Sequence, residues 1–432
     1  MNKSDSERVA AVLEKMGYKP AESEKQADLI VINACSVRQT AVDRVYGKAR
    51  HFIGWKKRKP VVTILTGCVA EEDKKKLADK FDVIIDIDEW NKFPICNFQF
   101  INKSKIQNPK SKIQNPRFKI QGTNYFHIQP RYTEKFRAFV PIMTGCKNFC
   151  SYCVVPYVRG GEVSRNVVNV LDEVRGLAEK GCLEITLLGQ NVNAYKPKGN
   201  LLKKDSPYKH PFAALLWGIN QIPGIERIYF TAAHPKDMSD EVIDALTLPK
   251  MVNYLHLPVQ SGDDGVLRVM NRRYAATDYA KLIKKIRAKK PDIALGTDII
   301  VGFPGETKKQ FENTVKLYKK ADFDIAYLAM YSPREGTAAA KMKDNVSRAE
   351  KKRRWNALQN LMEKITLEKN KKYVGKNVSV LVDECKGGYC TGNSREMKRV
   401  RFLGKKSMVG RILDIKVEKA FEWILEGDIF SS

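Results

Sequence analysis

Three cysteines stand close together in the stretch CKNFCSYC, as Cys146, Cys150 and Cys153. Thiolates at such spacings bind either zinc or an iron–sulfur cluster. A structural zinc site needs four protein ligands, but no fourth Cys or His lies in this loop and the chain has only 5 histidines. An iron–sulfur cluster fits better, because one of its irons can be left without a protein ligand. The spacing therefore predicts a cluster whose open iron binds a substrate or cofactor.

The region around this triplet, from about 132 to 340, alternates strand-like and helical patterns. The six strand-like runs are AFVPIM, EITLLGQN, IERIYFTA, NYLHLPV, IALGTDIIVGF and DIAYLAMY. Six such units in a row predict a barrel or partial barrel with its chemistry at the carboxyl ends of the strands. The triplet follows the first run, which places it on that face. Next comes a basic amphipathic helix over 348–372, whose Trp355, Leu358, Met362 and Ile365 we expect to be core contacts.

Residues 1–95 also alternate helix and strand, which predicts a doubly wound parallel sheet with helices on its faces. Cys35 and Cys68 each fall where a strand-like run ends, and ligands bind at that edge of α/β sheets. After Gly375 come short alternating runs that predict a small β-barrel, of a kind that often binds nucleic acid. Those runs are NVSVLVDE, KRVRFLG, SMVGRILDIKVEKA and WILEGDI.

Other features of the sequence are less specific. KSKIQNP occurs twice in tandem, at 103–109 and 110–116, and predicts a flexible basic insertion rather than an RNA-binding arm. We expect Cys96 and Cys182 to be incidental, and the pair Cys385 and Cys390 has no partner ligands in view for a metal.

The net charge of +28 favours a polyanionic partner, nucleic acid before membrane, over a merely solvated basic surface. No apolar run reaches the eighteen or so residues of a membrane span, and no secretion signal is evident. We therefore expect a cytoplasmic protein. Its 9 cysteines are then predicted to be thiols or metal ligands rather than a disulfide frame.

The triplet C-x-x-x-C-x-x-C after the first barrel strand resembles that of the radical SAM enzymes. The rest of the chain, apart from the insertion, resembles the methylthiotransferases within that superfamily. The motifs that carry this resemblance are NACSVR (33–38), TGCVAEED (66–73), CSYCVVPYVRGGEVSR (150–165), LLGQNVNAY (187–195), HLPVQSGDDGVLRVMNRRY (256–274), TDIIVGFPGET (297–307) and YSPREGT (331–337). Ser-Val-Arg after Cys35 is similar to the MiaB type, which makes 2-methylthio-N(6)-dimethylallyladenosine in tRNA.

The resemblance implies two 4Fe–4S clusters, S-adenosylmethionine (SAM) as cofactor and a terminal TRAM domain that binds RNA. Cys146, Cys150 and Cys153 would hold the SAM cluster, and Cys35 and Cys68 an auxiliary cluster that carries the sulfur. The substrate would be adenosine 37 in the anticodon stem-loop of tRNA, modified at carbon 2. Flavodoxin or ferredoxin would donate electrons to a monomeric enzyme.

The resemblance also implies contacts with SAM. The candidate residues are Tyr152, Glu162, Arg165, Gly189, Gln190, Asn191, Asp298 and Val301. For Tyr152 the alternative is a packing aromatic, and for Glu162 and Arg165 it is a plain ion pair.

The expected organisation is an auxiliary-cluster domain over 1–95, a linker over 96–131, a partial radical SAM barrel over 132–370 and a TRAM barrel over 371–432. Met1 resembles an internal methionine of the family's first motif, and that motif's cysteine and strand have no counterpart here. We favour a misplaced start over a real truncation. Two other functions remain open: a sister methylthiotransferase acting on threonylcarbamoyl adenosine or a ribosomal aspartate, and a non-catalytic iron–sulfur RNA-binding protein.

Overall fold

The computed structural model describes residues 1–35, 39–90, 125–199 and 206–430. The tandem KSKIQNP repeat, Cys96 and the Ser-Val-Arg that follows Cys35 lie outside these ranges. Within the described ranges, every helix is too short or too polar to cross a membrane.

The N-terminal unit is a three-stranded parallel sheet in the order β1-β2-β3, as its alternating pattern predicts. Its elements are α1 (Asn2–Lys15), β1 (Leu29–Cys35), α2 (Gln39–Lys56), β2 (Val62–Cys68), α3 (Glu71–Leu77) and β3 (Val83–Ile84). Helix α1 packs through Val9 against Ile64 on one face, and α2 packs through Phe52 against Leu65 on the other. The run DVIIDID gives only a two-residue strand, because the chain turns where the amide of Glu89 donates to the carbonyl of Asp86.

The central unit contains all six predicted strands, arranged as two three-stranded parallel sheets, β4-β7-β8 and β11-β10-β9. Its strands are β4 (Arg137–Pro141), β5 (Met143–Thr144), β6 (Val163–Ser164), β7 (Glu184–Leu188), β8 (Arg227–Phe230), β9 (Tyr254–His256), β10 (Ala294–Val301) and β11 (Ile325–Met330). Its helices are α4 (Val155–Val158), α5 (Val167–Glu179), α6 (Pro211–Asn220), α7 (Asp240–Ala245), α8 (Asp264–Val269), α9 (Ala276–Lys289), α10 (Lys308–Ala321) and α11 (Arg348–Lys371). A parallel bridge from Ile228 to Met251 joins the two sheets into the predicted partial barrel.

The prediction for α11 is confirmed. Ser347 caps its first turn by accepting from the amide of Glu350. Leu358 and Met362 are fully buried in the main core, and Trp355 and Ile365 pack against it at their partly buried positions. The helix thus connects the partial barrel to the last unit.

The last unit is a closed five-stranded barrel in the order β12-β13-β14-β16-β15. Its strands are β12 (Asn377–Lys386), β13 (Tyr389–Ser394), β14 (Arg399–Leu403), β15 (Ile412–Ala420) and β16 (Leu425–Ile429). Strand β13 is missing from the four predicted runs, because YCTGNS contains Gly and Asn, which favour turns over strands. Cys385 and Cys390 are cross-strand partners there and form a disulfide, an exception to the thiols predicted from composition.

Candidate active site

The cysteine triplet lies on a loop that follows β5 at the carboxyl end of the barrel strands. The loop begins at Gly145, whose φ of 77° is favourable only for glycine. A Cβ at this position would lie 2.0 Å from the carbonyl oxygen of Gly161, so glycine is also required by space. The amide of Cys146 then donates to the carbonyl of Gly160 at 3.1 Å. The loop start is therefore fixed against the segment that carries Glu162.

The middle of the loop is fastened to the end of α8. The amide of Ser151 donates to the carbonyl of Met270 at 3.0 Å, and its hydroxyl donates to that of Val269 at 2.8 Å. Asn271, itself at a positive φ of 56°, donates from its side chain to the carbonyl of Phe149 at 2.8 Å. These contacts fix the residues on either side of Cys150 and so hold the middle of the loop in place.

The thiols of the triplet interact electrostatically with one another. Burial, together with the charge of Cys150, raises the pKa of Cys146, and burial with the charges of Cys150 and Cys146 raises the pKa of Cys153 to about 12. The backbone amides of Asn148 and Val155 oppose this by donating towards Cys146 and Cys153 respectively. The loop thus disfavours free thiolates at Cys146 and Cys153, and bound positive charge is what would deprotonate these two residues.

The triplet fits an iron–sulfur cluster better than a single ion. No three Cys, His, Asp or Glu side chains in the described ranges converge closely enough to hold one metal ion. A four-iron cluster spreads its cysteine ligands around a larger body, so wider separation suits it.

Arg272 is a buried neighbour of the triplet that the sequence patterns did not identify. Its Nη1 donates to Cys150 Sγ at 3.4 Å, its Nε to the hydroxyl of Tyr274 at 2.8 Å and its Nη2 to the carbonyl of Pro258 at 3.1 Å. Because 122 residues separate Arg272 from Cys150, no local spacing could have shown this contact.

One predicted SAM contact borders the cysteine loop, and two others follow the end of β7. Glu162 Oε1 accepts from the amide of Lys147 at 3.2 Å, which places its carboxylate beside Cys146. Asn191 donates to Asp237 at 2.8 Å and follows the end of β7. Gln190 Oε1 and Asn191 Oδ1 are buried and have no hydrogen-bond partner among the described residues. These two orphaned acceptors are suited to a polar ligand.

Tyr152 and Gly189 have packing contacts that constrain their predicted role. Tyr152 meets the ring of Phe303 edge-on, with centroids 6.5 Å apart, and burial raises the pKa of its phenol well above the usual value. A Cβ on Gly189 would lie 2.6 Å from Met143 Cγ, so the position has no room for a side chain. Both residues stay predicted contacts of SAM.

The remaining predicted contacts have partners of their own. Arg165 is buried in an ion pair with Glu173 and donates to the carbonyl of Asn169 at 3.1 Å. Asp298 Oδ2 lies 3.1 Å from His256 Nε2, and Val301 is fully buried. Their roles towards SAM stay predictions.

Cys35 and Cys68 are brought together as predicted. They are register partners at the ends of the parallel strands β1 and β2. Gly67, at a φ of 101°, allows the close approach, because a Cβ there would lie 2.4 Å from the carbonyl oxygen of Ala34. Cys68 Sγ accepts from Nε of Arg159 at 2.8 Å. Arg159, like Arg272, was not identified from the sequence.

Comparison with known proteins agrees with this arrangement. The profile of the Radical SAM superfamily matches residues 140–318, and that of Uncharacterized protein family UPF0004 matches residues 1–87. A partial barrel with the cysteine triplet at its strand ends, matched in this way, defines a radical SAM protein. Solved structures are similar only distantly: the methyltransferase TsrM from Kitasatospora setae has 14% identity and a TM-score of 0.46, covering 77% of this chain and 66% of that one.

Curated relatives identify the family within this superfamily. A tRNA-2-methylthio-N(6)-dimethylallyladenosine synthase from Thermoanaerobacter sp. (strain X514) is 40% identical over 99% of this chain and 90% of its own length. Synthases of the same name from Clostridium botulinum (strain Okra / Type B1) and Thermotoga petrophila are 40% and 39% identical, each over 99% of this chain and 94% of theirs. The chain belongs to the family of tRNA-2-methylthio-N(6)-dimethylallyladenosine synthases.

Proposed function

We propose that this chain is a tRNA methylthiotransferase that adds sulfur and a methyl group at carbon 2 of N(6)-isopentenyl adenosine 37. The observation that carries the proposal is the full-length similarity to synthases named for this product. The net charge of +28 suits a polyanionic substrate such as tRNA.

A 4Fe–4S cluster and SAM follow from membership of the radical SAM superfamily. We assign the cluster ligands to Cys146, Cys150 and Cys153. A cluster bound there would supply one electron for the reductive cleavage of SAM. The chain's own part is to orient SAM and exclude water, for which the orphaned acceptors of Gln190 and Asn191 and the carboxylate of Glu162 are suited.

A second cluster at Cys35 and Cys68 is the auxiliary centre of this proposal. The two thiols are register partners at a strand edge, and buried Arg159 offers them a cationic neighbour. A sulfur donor must lie within a few ångström of the carbon that it attacks, so both sites must face the same base.

A cavity of about 550 Å³ between the barrel sheets and the terminal barrel is our candidate for the RNA entrance. Its lining includes Tyr229, Tyr254, His256, Asp298, Tyr327 and Trp423. Tyr327 and Trp423 are about half exposed, and aromatic rings of this kind stack on nucleobases. We propose that the anticodon loop contacts this opening.

The proposal also covers the domain boundaries, the electron donor, the oligomeric state and the location. The division into units at 1–95, 96–131, 132–370 and 371–432 stands as a proposal, with the last unit as the TRAM RNA-binding domain. The proposal also includes a flavodoxin or ferredoxin as electron donor, a monomeric state and a cytoplasmic location, as the family resemblance and the sequence composition imply.

The test is mass spectrometry of tRNA nucleosides from cells that lack this chain and regain it. We expect 2-methylthio-N(6)-dimethylallyladenosine to disappear with the gene and to return with the wild-type chain, but not with Cys150→Ala. Return of a methylthio group on threonylcarbamoyl adenosine instead would show the sister function. Unchanged tRNA nucleosides would exclude both.

A further inference from the structure

Arg159 connects the two groups of cysteines. It follows α4 and stands six residues after Cys153, yet its Nε donates to Cys68 Sγ at 2.8 Å in the N-terminal unit. Its Nη2 donates to Asp5 Oδ2, and the side chains of Arg159 and Asp5 are only 2% and 0% exposed. A single buried guanidinium therefore bridges the triplet loop, α1 and the end of β2.

Asp5 fixes how this guanidinium is oriented. The hydroxyl of Tyr125 donates to Asp5 Oδ1 at 2.6 Å, which leaves Oδ2 for Arg159. The guanidinium of an arginine stays charged in a folded protein, and the buried carboxylate of Asp5 is its counter-charge. With two of its nitrogens engaged, the direction of the third is determined.

That third nitrogen, Arg159 Nη1, is buried and has no hydrogen-bond partner among the described residues. A buried charged donor without an acceptor is costly, and such atoms in folded proteins call for an explanation. Cys35 and Cys68 lie at the same edge, so the missing acceptor belongs among sulfur ligands.

We propose that Arg159 is a positioning residue for an anionic sulfur-ligated group held by Cys35 and Cys68. Nη1 donates to a sulfur of that group while Nε holds Cys68, and the pair with Asp5 keeps both donors in place. This inference rests on the auxiliary cluster of the proposed function. Hydrogen bonds to cluster sulfurs tune such centres, and the planar fork of arginine can make two at once.

A merely structural role for Arg159 gives different expectations. If the residue served only as the buried partner of Asp5, lysine would keep the charge, and the group at Cys35 and Cys68 would be indifferent to the change. If Arg159 positions that group, lysine loses the fork and with it one of the two donors to sulfur. The Arg159→Lys and Arg159→Gln variants separate these roles.

The experiment removes the first cluster site so that bound iron reports on the second. In a chain with Cys146, Cys150 and Cys153 all replaced by Ala, iron and sulfide are restored without oxygen. Iron per chain after gel filtration and the electron paramagnetic resonance spectrum after reduction are then measured. We expect Arg159→Lys and Arg159→Gln to lower retained iron at least threefold, with altered g values for what remains.

The matched control is Arg227→Lys. Arg227 is equally buried but donates to the carbonyls of Asn393 and Ser379 in the terminal barrel, away from both cysteine sites. We expect it to retain the iron of the parent. A second background, with Cys35 and Cys68 replaced by Ala, checks the fold, since Arg159→Lys should leave iron at the triplet unchanged.

Three results would overturn the inference. Unchanged iron and g values in both Arg159 variants would leave it a structural ion pair. Loss of iron from the triplet in the second background would show a general defect in folding. Absence of iron from the parent of the first background would remove the ligand that Arg159 is proposed to hold. None of these results depends on the tRNA product, which the nucleoside experiment judges separately.

Discussion

Gly145 faces the backbone of Gly161 so closely that Gly145 has no space for a side chain. A Cβ on Gly145 would lie 2.0 Å from the carbonyl oxygen of Gly161, whereas a Cβ on Gly161 would meet only Lys147 Cε, at 3.8 Å. The contact is therefore one-sided: one glycine is required by space and the other is not.

This asymmetry predicts opposite outcomes for two alanine variants. Gly145→Ala should displace the cysteine loop, because a left-handed backbone costs alanine about 1–2 kcal/mol before the overlap is counted. We expect loss of most iron from the triplet and a lower melting temperature. Gly161→Ala should keep the iron content and the melting temperature of the wild type within experimental error. Iron analysis and thermal unfolding measure the pair, and equal behaviour of the two variants would contradict the described loop geometry.

Cys150→Ala is expected to abolish SAM cleavage while leaving the fold largely intact. Cys150 is only half-buried, and its sulfur accepts a single weak contact from Arg272, so little packing is lost. Loss of one of three cluster ligands should lower deoxyadenosine formation more than about 100-fold, the upper end of losses from outer-shell changes.

The control for that variant is Cys182→Ala, which removes a buried thiol that donates only to the carbonyl of Glu184. Deoxyadenosine is measured in the reduced, reconstituted proteins. Formation by Cys150→Ala at the level of Cys182→Ala would remove the basis for assigning the SAM cluster to this loop.

The terminal barrel is expected to bind tRNA through phosphate contacts. Residues 371–432 carry 13 Lys and Arg against 8 Asp and Glu, a net charge of +5. Deleting the barrel should weaken binding and flatten its salt dependence. Deletion would also take away the acceptors of Arg227, however, so neutralising surface charge is the cleaner test.

Lys405 and Lys406 are exposed at the short helix after β14, and Lys405→Gln with Lys406→Gln removes two charges there. If both lysines contact phosphates, we expect weaker binding and a slope of log K against log salt that falls by about two. Lys319→Gln with Lys320→Gln, at the exposed end of α10, provides the charge-matched control. Equal slopes for the two double variants would assign the phosphate contacts elsewhere.

The positions of the cysteines in the fold could be predicted from the sequence because local pattern sets them. Cys35 and Cys68 end two strand-like runs, and parallel pairing then makes them neighbours. The triplet follows its strand for the same reason. Arg159 and Arg272 escaped prediction because their sulfur partners lie 91 and 122 residues away, and an arginine in a loop carries no signal of what it will contact.

A third case is Arg165, which falls within a motif but has an unexpected partner. The motif implied SAM with a plain ion pair as the alternative, and the fold gives Arg165 an ion pair with Glu173 on the following helix. Residue types in a motif limit the chemistry available, but the packing of α5 against the sheet decides which charges meet. Strand β13 shows the same limit for secondary structure, since closure of the barrel imposes a strand on residues that disfavour it.

His234 should make the stability of the central unit sensitive to acid. Burial, together with the nearby charges of Arg272, Lys236 and Arg273, lowers the pKa of His234 from 6.5 to about 2. Its Nδ1 accepts from the amide of Lys236 at 3.2 Å, which requires the neutral ring. Below pH 6.5 His234 binds a proton in the unfolded chain but stays neutral in the folded chain. The unfolding free energy is therefore at its full value above pH 6.5 and decreases as the pH falls towards 2.

The expected loss is about 1.4 kcal/mol of unfolding free energy by pH 5.5, one pH unit below the unfolded pKa. His234→Asn keeps an acceptor for the amide of Lys236 but cannot titrate. Between pH 7.5 and 5.5 its unfolding free energy should therefore decrease by about 1.4 kcal/mol less than that of the wild type. His51→Gln, at an exposed position on α2, should behave as the wild type does. Urea unfolding at the two pH values measures all three proteins. A wild-type difference no larger than that of His234→Asn would mean that His234 accepts a proton in the folded state and is not enclosed as described.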